Sequence, residues 1–209
     1  IFGFSRQGQN RPRKTEPITR KIFVKLETLY TGGVININYN RKKNCDTCNG
    51  FGSTKTHKCG KCNGAGFITK TVQLAPGFIS QQRQACTTCG GRGIQTDSKH
   101  KCTPCGARGQ FDVKEQVEVK IEPGMAGGTQ VFEGEGNQDP IQEAGNLNIV
   151  IEEETHPVFK REGADLYLTK KITLYEALTG VFFQIDHISG SKIDVMTLPG
   201  EIIKPGTKK

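Results

Sequence analysis

Eight cysteines, the chain's full complement, recur as four copies of one phrase: Cys45-Asp-Thr-Cys48-Asn-Gly50-Phe-Gly52, Cys59-Gly-Lys-Cys62-Asn-Gly64-Ala-Gly66, Cys86-Thr-Thr-Cys89-Gly-Gly91-Arg-Gly93 and Cys102-Thr-Pro-Cys105-Gly-Ala107-Arg-Gly109. A Cys-x-x-Cys turn aims two thiolates at one point. Four such turns supply enough sulfurs for two closed tetrahedral zinc sites of the four-cysteine type. No histidine or carboxylate stands in for a sulfur, so both sites are expected to be structural. The glycines serve the bend round the metal, because glycine reaches positive φ without strain. Ala107 breaks the pattern in the fourth copy, and that turn is expected to differ slightly while keeping both sulfurs.

Two other uses of the cysteines fit less well. A disulfide framework belongs to oxidising compartments, and no secretory signal is read here. Thioredoxin-like redox chemistry needs a Cys-x-x-Cys that opens a helix, whose dipole lowers the thiol pKa. Glycines follow every pair in this chain and disfavour a helix.

The pairing of the turns is partly readable. Phe67–Leu74 and Phe78–Ala85 are strand-like runs joined through Ala75-Pro76-Gly77, and Pro-Gly favours a type II turn. A hairpin there would set the second and third turns side by side and leave the first and fourth to meet by nesting. Pairing first with second and third with fourth also has acceptable spacing, and spacing alone does not separate the two.

The elements that must position these turns are strands. Outside the cysteine-rich stretch, apolar and polar residues alternate with period two, as in Lys21–Leu26, Val34–Tyr39, Gln116–Ile121, Asn146–Ile151 and Asp165–Thr169. That alternation predicts half-buried strands. Only Leu26–Tyr30 and Leu174–Leu178 could make a turn or two of helix. Within the cysteine-rich stretch the apolar residues are few, chiefly Phe51, Phe67, Ile68 and Phe78, so metal must replace a core there. Val24-Lys-Leu26-Glu-Thr-Leu29-Tyr-Thr31-Gly32 is similar to Ile172-Thr-Leu174-Tyr-Glu-Ala177-Leu-Thr179-Gly180. Pro-Gly turns recur at Pro123, Pro199 and Pro205. The fold class expected is mainly β, with two related β-sandwich modules and the cysteine block inserted in the first. Residues 1–17 read as the end of a linker, 18–44 and 110–160 as the first module, 45–109 as the zinc domain and 161–209 as an incomplete second module.

A formal charge of +8 raises the question of nucleic acid. Basic residues cluster at Arg11–Lys14 and Arg41–Lys43, but aromatic residues suited to base stacking do not accompany them. The charge is read as a solvated face, and no nucleic-acid partner is expected. No hydrophobic run approaches membrane-spanning length.

Four Cys-x-x-Cys-x-Gly-x-Gly copies inserted in a β-rich chain resemble the cysteine-rich region of class A DnaJ-type J-domain chaperones of the heat-shock 40 family. Leu26–Gly32, Ile121–Met125, Gly134–Pro140, His156–Leu166 and Leu198–Gly206 are similar to further segments of that family, so the resemblance covers nearly the whole chain. It implies an L-shaped zinc domain in which Cys45, Cys48, Cys102 and Cys105 share a first zinc and Cys59, Cys62, Cys86 and Cys89 a second. It also implies a cytoplasmic stress-response cochaperone, not an enzyme. Such a protein binds unfolded polypeptides by strand addition and hands them to a seventy-kilodalton, DnaK-type heat-shock ATPase. The family's client groove maps onto Ile18, Ile37, Tyr39, Val117 and Ile149. Two departures bear on what to expect. The J-domain signature His-Pro-Asp is absent, His156-Pro157 being followed by Val158 in ordinary loop context. Ile1–Ser5 resembles the tail of a Gly/Phe linker, and the chain stops inside the second module. A fragment is therefore expected, mainly monomeric, of a longer protein that forms a homodimer.

Overall fold

The computed structural model describes residues 13–75, 78–198 and 200–209. The linker reading of the first residues, the Pro76-Gly77 turn and the Pro199 turn position lie outside the described residues. The described chain is mainly β. In order it forms β1 (Ile18–Val24), α1 (Leu26–Thr31), β2 (Gly33–Asn44), β3 (Thr56–Lys58), β4 (Phe67–Ala75), β5 (Phe78–Ala85), β6 (Ile94–Thr96), β7 (Gln110–Ile121), β8 (Gly128–Phe132), β9 (Leu147–Glu153), β10 (Phe159–Glu162), β11 (Asp165–Leu168), α2 (Leu174–Thr179), β12 (Phe182–Asp186) and β13 (Lys192–Met196). The strands group as a three-stranded sheet in the order β1-β9-β8 and as the pairs β2-β7, β3-β6, β4-β5, β10-β11 and β12-β13.

The chain divides into two compact units. One takes in residues up to Ile18, Asn38–Gln116 and Val131–Asn148; the other takes in Thr19–Ile37, Val117–Gln130 and Ile149–Lys209. The second unit holds most of the apolar core. Val119 and Ile121, and Ile149 and Ile151, stand two apart on β7 and β9, so each pair shares a face. All four are buried, together with Val24, Leu26, Leu29 and Phe159.

The repeated phrase takes the same local form twice. After α1 the Gly32 N–H bonds the Thr28 carbonyl at 2.8 Å, and after α2 the Gly180 N–H bonds the Glu176 carbonyl at 3.0 Å. Both glycines have positive φ, 72° and 107°. Thr31 and Thr179 hydroxyls donate back to the carbonyls of Glu27 (3.0 Å) and Tyr175 (2.8 Å). The helices differ in what holds them. Leu26 and Leu29 are buried, whereas no residue of α2 is; Ala177 stands where α1 has Leu29.

His156 behaves as loop chemistry. Its Nδ1 accepts N–H bonds from Val158 (3.1 Å) and Phe159 (2.9 Å). The ring proton therefore sits on Nε2, 3.3 Å from the Glu27 carboxylate. Among the described residues no helix is long and apolar enough to cross a membrane.

Candidate metal centres

Each Cys-x-x-Cys phrase folds into the same knuckle. The N–H of the closing glycine donates to the sulfur of the second cysteine four residues earlier: Gly52 to Cys48 at 3.2 Å, Gly66 to Cys62 at 3.3 Å, Gly93 to Cys89 at 3.2 Å and Gly109 to Cys105 at 3.3 Å. Reaching that geometry takes two consecutive residues at positive φ just after the second cysteine. These are Asn49-Gly50, Asn63-Gly64, Gly90-Gly91 and Gly106-Ala107, with φ of 49° at both asparagines and 63° at Ala107. The fourth turn therefore keeps the shape of the others, with alanine forced into the left-handed region where only glycine rests without cost.

The knuckles meet in reciprocal pairs, first with fourth and second with third. The first cysteine of each donates its N–H to the closing-glycine carbonyl of its partner. Cys45 bonds Gly109 at 2.8 Å and Cys102 bonds Gly52 at 3.0 Å; Cys59 bonds Gly93 at 2.9 Å and Cys86 bonds Gly66 at 2.9 Å. The closing glycines are also pressed against the partner backbone. A Cβ added at Gly52, Gly66, Gly93 or Gly109 would lie well under 3.0 Å from the carbonyl oxygen of Ala107, Gly91, Gly64 or Gly50 respectively. The hairpin β4-β5, in register from Phe67↔Ala85 to Gln73↔Ile79, brings the second and third knuckles together as its spacing predicts. The short pair β3-β6, with Thr56↔Thr96 and Lys58↔Ile94, ties the two centres. Buried Ser53 supports the first: its hydroxyl lies 2.8 Å from the His100 carbonyl and accepts the Lys55 N–H at 3.2 Å.

Two groups of four sulfurs result, Cys45, Cys48, Cys102 and Cys105, and Cys59, Cys62, Cys86 and Cys89, each within 4.8 Å of one another. Sulfurs face across the knuckles at 3.8 Å (Cys45–Cys102), 3.7 Å (Cys48–Cys105), 3.8 Å (Cys59–Cys86) and 3.8 Å (Cys62–Cys89). Zinc–sulfur bonds of about 2.3 Å in a regular tetrahedron put the sulfurs about 3.8 Å apart, so the donor set and its spacing fit zinc. Disulfide sulfurs stand about 2 Å apart, and all eight cysteines are free. Four thiolates around one zinc leave no open position, so each centre can hold structure but not activate water.

The electrostatics favour a cation in each group. Burial raises the Cys45 thiol, but N–H groups of Cys48 and Thr47 and the Cys48 and Cys102 thiols outweigh it and bring it down to about 7. At Cys86 burial is likewise outweighed, by the N–H groups of Cys89 and Thr88 and the thiols of Cys89 and Cys59, reaching about 6. Cys62 and Cys102 go the other way, pushed up to about 11 and about 12, first by burial and then by neighbouring thiols. Backbone N–H groups thus favour the thiolate at Cys45 and Cys86, while burial opposes it at Cys48, Cys62 and Cys102. A filled four-thiolate centre carries a net charge of −2. Nine lysines and arginines against two aspartates between Cys45 and Gly109 surround these centres with compensating charge.

The five residues expected to line a groove lie on β1, β2, β7 and β9. Tyr39 and Ile149 are buried, at 2 % and 0 % exposure, while Ile18, Ile37 and Val117 are half-buried. The Tyr39 hydroxyl donates to Glu135 at 2.9 Å. Burial and that carboxylate push its phenol above the ordinary value. Asn36 and Asn38 are exposed. The alternation of sequence did not single out Ser53, Asn49 or Asn63. An Asn-Gly pair after the second cysteine is the one signal that marked the asparagines, since Asn is the residue after Gly most tolerant of positive φ.

The DnaJ C terminal domain family matches residues 18–209. The chain is 34% identical over 211 residues to "Chaperone protein dnaJ 3" of Arabidopsis thaliana, covering 100% of this chain and 50% of that relative. It is 34% identical over 203 residues to "DnaJ homolog subfamily A member 1 homolog" of Dictyostelium discoideum, covering 95% and 44%. Against "DnaJ homolog subfamily A member 2" of Homo sapiens it is 34% identical over 212 residues, covering 99% and 52%. The chain spans about half the length of these curated relatives.

Proposed function

The chain belongs to the DnaJ family, class A, and from that premise we propose that it is the client-binding and zinc-bearing part of a cochaperone. In this reading it captures unfolded or extended polypeptides in the cytoplasm and passes them to a DnaK-type heat-shock ATPase without itself catalysing a reaction. The observation that carries it is the pair of four-cysteine groups built from knuckles set between strands β2 and β7 of a β-module.

Capture would proceed by strand addition. An open sheet edge offers unpaired N–H and C=O groups to any extended chain, and alternate side chains of the client enter an apolar groove. Strands β1 and β8 stand at the two edges of their sheet. Ile18 and Val117, half-buried, still have surface to offer, as does Ile37, whereas Tyr39 and Ile149 are buried. Burying one large apolar side chain of a client contributes roughly 1.5–3 kcal/mol, which suits weak, reversible binding. Replacing Ile37 by Ser should weaken the binding of a fluorescent hydrophobic peptide about tenfold while zinc content and thermal unfolding stay near wild type. Unfolding of the variant would make Ile37 core, and unchanged affinity would put the groove elsewhere. Steady-state hydrolysis by the partner ATPase is expected not to rise on adding this chain, which carries no His-Pro-Asp helix pair in its sequence.

A further inference from the structure

Gly134-Glu-Gly-Asn-Gln-Asp-Pro140 supplies no sulfur to the zinc knuckles and none of the five residues named for the client groove. In the structure it runs along the outer side of β2 and makes a polar contact at nearly every step. Glu135 receives the Tyr39 hydroxyl and pairs with Arg41 at 3.0 Å. Arg41, nearly buried, also pairs with Glu115 and donates to the Gly134 carbonyl at 3.2 Å. Asn137 and Gln138 then take the place of a partner strand. The Lys42 N–H donates to Asn137 Oδ1 at 2.9 Å, the Gln138 N–H to the Lys42 carbonyl at 2.8 Å and the Asn44 N–H to Gln138 Oε1 at 3.0 Å.

The contacts end on the first metal centre. Asn44 precedes Cys45 directly. Gln110, one residue past the closing Gly109 of the fourth knuckle, donates from Nε2 to the Gln138 carbonyl at 2.6 Å and to Asn44 Oδ1 at 3.2 Å. Gly50, inside the first knuckle, is packed so closely that a Cβ there would stand 2.8 Å from Asn44 Oδ1 and 2.9 Å from Pro140 Cβ. The phrase is anchored at its far side as well, where the Gly136 N–H bonds the Gly145 carbonyl at 2.8 Å. None of these contacts touches the second centre.

We propose that Gly134–Pro140 is a strap that seats the first metal centre on the β-module and sets how firmly that centre alone keeps its zinc. Asn44 and Gln138 are its positioning residues. They touch no sulfur, but they fix the entry and exit of the two chain segments that carry Cys45, Cys48, Cys102 and Cys105. Opening of that centre must break the amide contacts, whereas opening of the second need not. The strap also closes the β2 edge at Lys42 and Asn44, so a client strand cannot add there.

The test follows thiol alkylation of the zinc-loaded chain in the presence of a chelator, mapped cysteine by cysteine by mass spectrometry. Removing one hydrogen bond of this kind corresponds to about a fivefold to tenfold change in an opening equilibrium. Gln138→Ala should therefore speed labelling of Cys45, Cys48, Cys102 and Cys105 about fivefold to tenfold and leave the other four cysteines unchanged. Gln138→Glu, which keeps an acceptor for the Asn44 N–H, should restore rates to within about twofold of wild type. Equal acceleration of both groups, no acceleration of the first, or failure of Gln138→Glu to restore it overturns the proposal. If Gln138→Ala does not fold, amide exchange decides. The exchange of Gln138 and Asn44 must quicken in Cys102→Ser/Cys105→Ser and not in Cys86→Ser/Cys89→Ser, and identical behaviour of the two variants overturns the strap. No client enters either measurement, so its outcome is independent of the chaperone reading.

Discussion

At the closing glycines and at Ala107, single atoms decide whether a metal centre can form. The four closing glycines sit with their Cα hydrogens against a partner carbonyl, so a methyl group at any of them must push two knuckles apart. Gly93→Ala should cost the second centre its zinc while the first keeps its own, and metal analysis should fall from two ions to one with all eight cysteines present. Retention of both ions would mean the knuckles can slide, against the close approach. Ala107 makes the opposite case. At φ of 63° an alanine carries strain of about 1 kcal/mol that glycine would not. Ala107→Gly relieves it, partly offset by the freedom glycine gains in the unfolded chain. The expected net gain is about 0.5 kcal/mol, visible as slower release of one of the two zinc ions.

The two helices carry one phrase but are stabilised by different means, and substitution should separate them. Leu29 is wholly buried, so Leu29→Ala should cost about 3 kcal/mol of unfolding free energy. In α2 the work falls to a capping box: the Glu176 N–H bonds Thr173 Oγ1 at 3.2 Å, and the Glu176 carboxylate accepts the Thr173 N–H at 2.7 Å. Thr173→Ala should cost only about 1 kcal/mol. The Thr173 N–H and hydroxyl hold the Glu176 carboxyl below its ordinary range. A depressed carboxyl stabilises the fold above its unfolded pKa, and that contribution fades as pH falls through the lower, folded value. Denaturant titrations should therefore show the Thr173→Ala deficit at neutral pH and a smaller one in acid. Much at this scale was legible beforehand. Alternation placed β1, β2, β7, β9 and β11, the two short helical stretches were expected at Leu26–Tyr30 and Leu174–Leu178, and the paired runs flanking Pro76 placed β4 and β5. What alternation could not show was which apolar residues are core. Ile37 and Tyr39 read alike along β2, yet one is half-buried and the other buried. Tyr39 meets Glu135, far along the chain, through its hydroxyl, a tertiary contact with no local signature. The asparagines of the knuckles were missed for another reason: positive φ is announced by glycine and only faintly by Asn.

Across the whole molecule, charge and metal are coupled. The formal charge of +8 counts every cysteine as a neutral thiol. Binding one zinc replaces four thiol protons by a doubly charged cation, so each filled centre lowers the net charge by two. With two centres filled the chain carries about half of its formal charge, the four-thiolate groups balancing the rest. Removing zinc should reverse this while leaving most of the fold intact, because the insert has a metal in place of a core whereas Leu29, Val119, Ile121, Ile149 and Ile151 pack without one. Treatment with a chelator under reducing conditions is therefore expected to raise electrophoretic mobility toward the cathode nearly twofold at neutral pH. Amide protection should vanish at β3, β4, β5 and β6 and persist at β7 beyond Val117 and at β9. Acid should act in the same direction, since protonation of the thiolates competes with the metal and zinc is lost as pH falls. A mobility that does not change on chelation would mean that the sulfurs hold no zinc. Collapse of protection in β9 together with the insert would mean that the metal centres support the β-core as well as the domain they were built into.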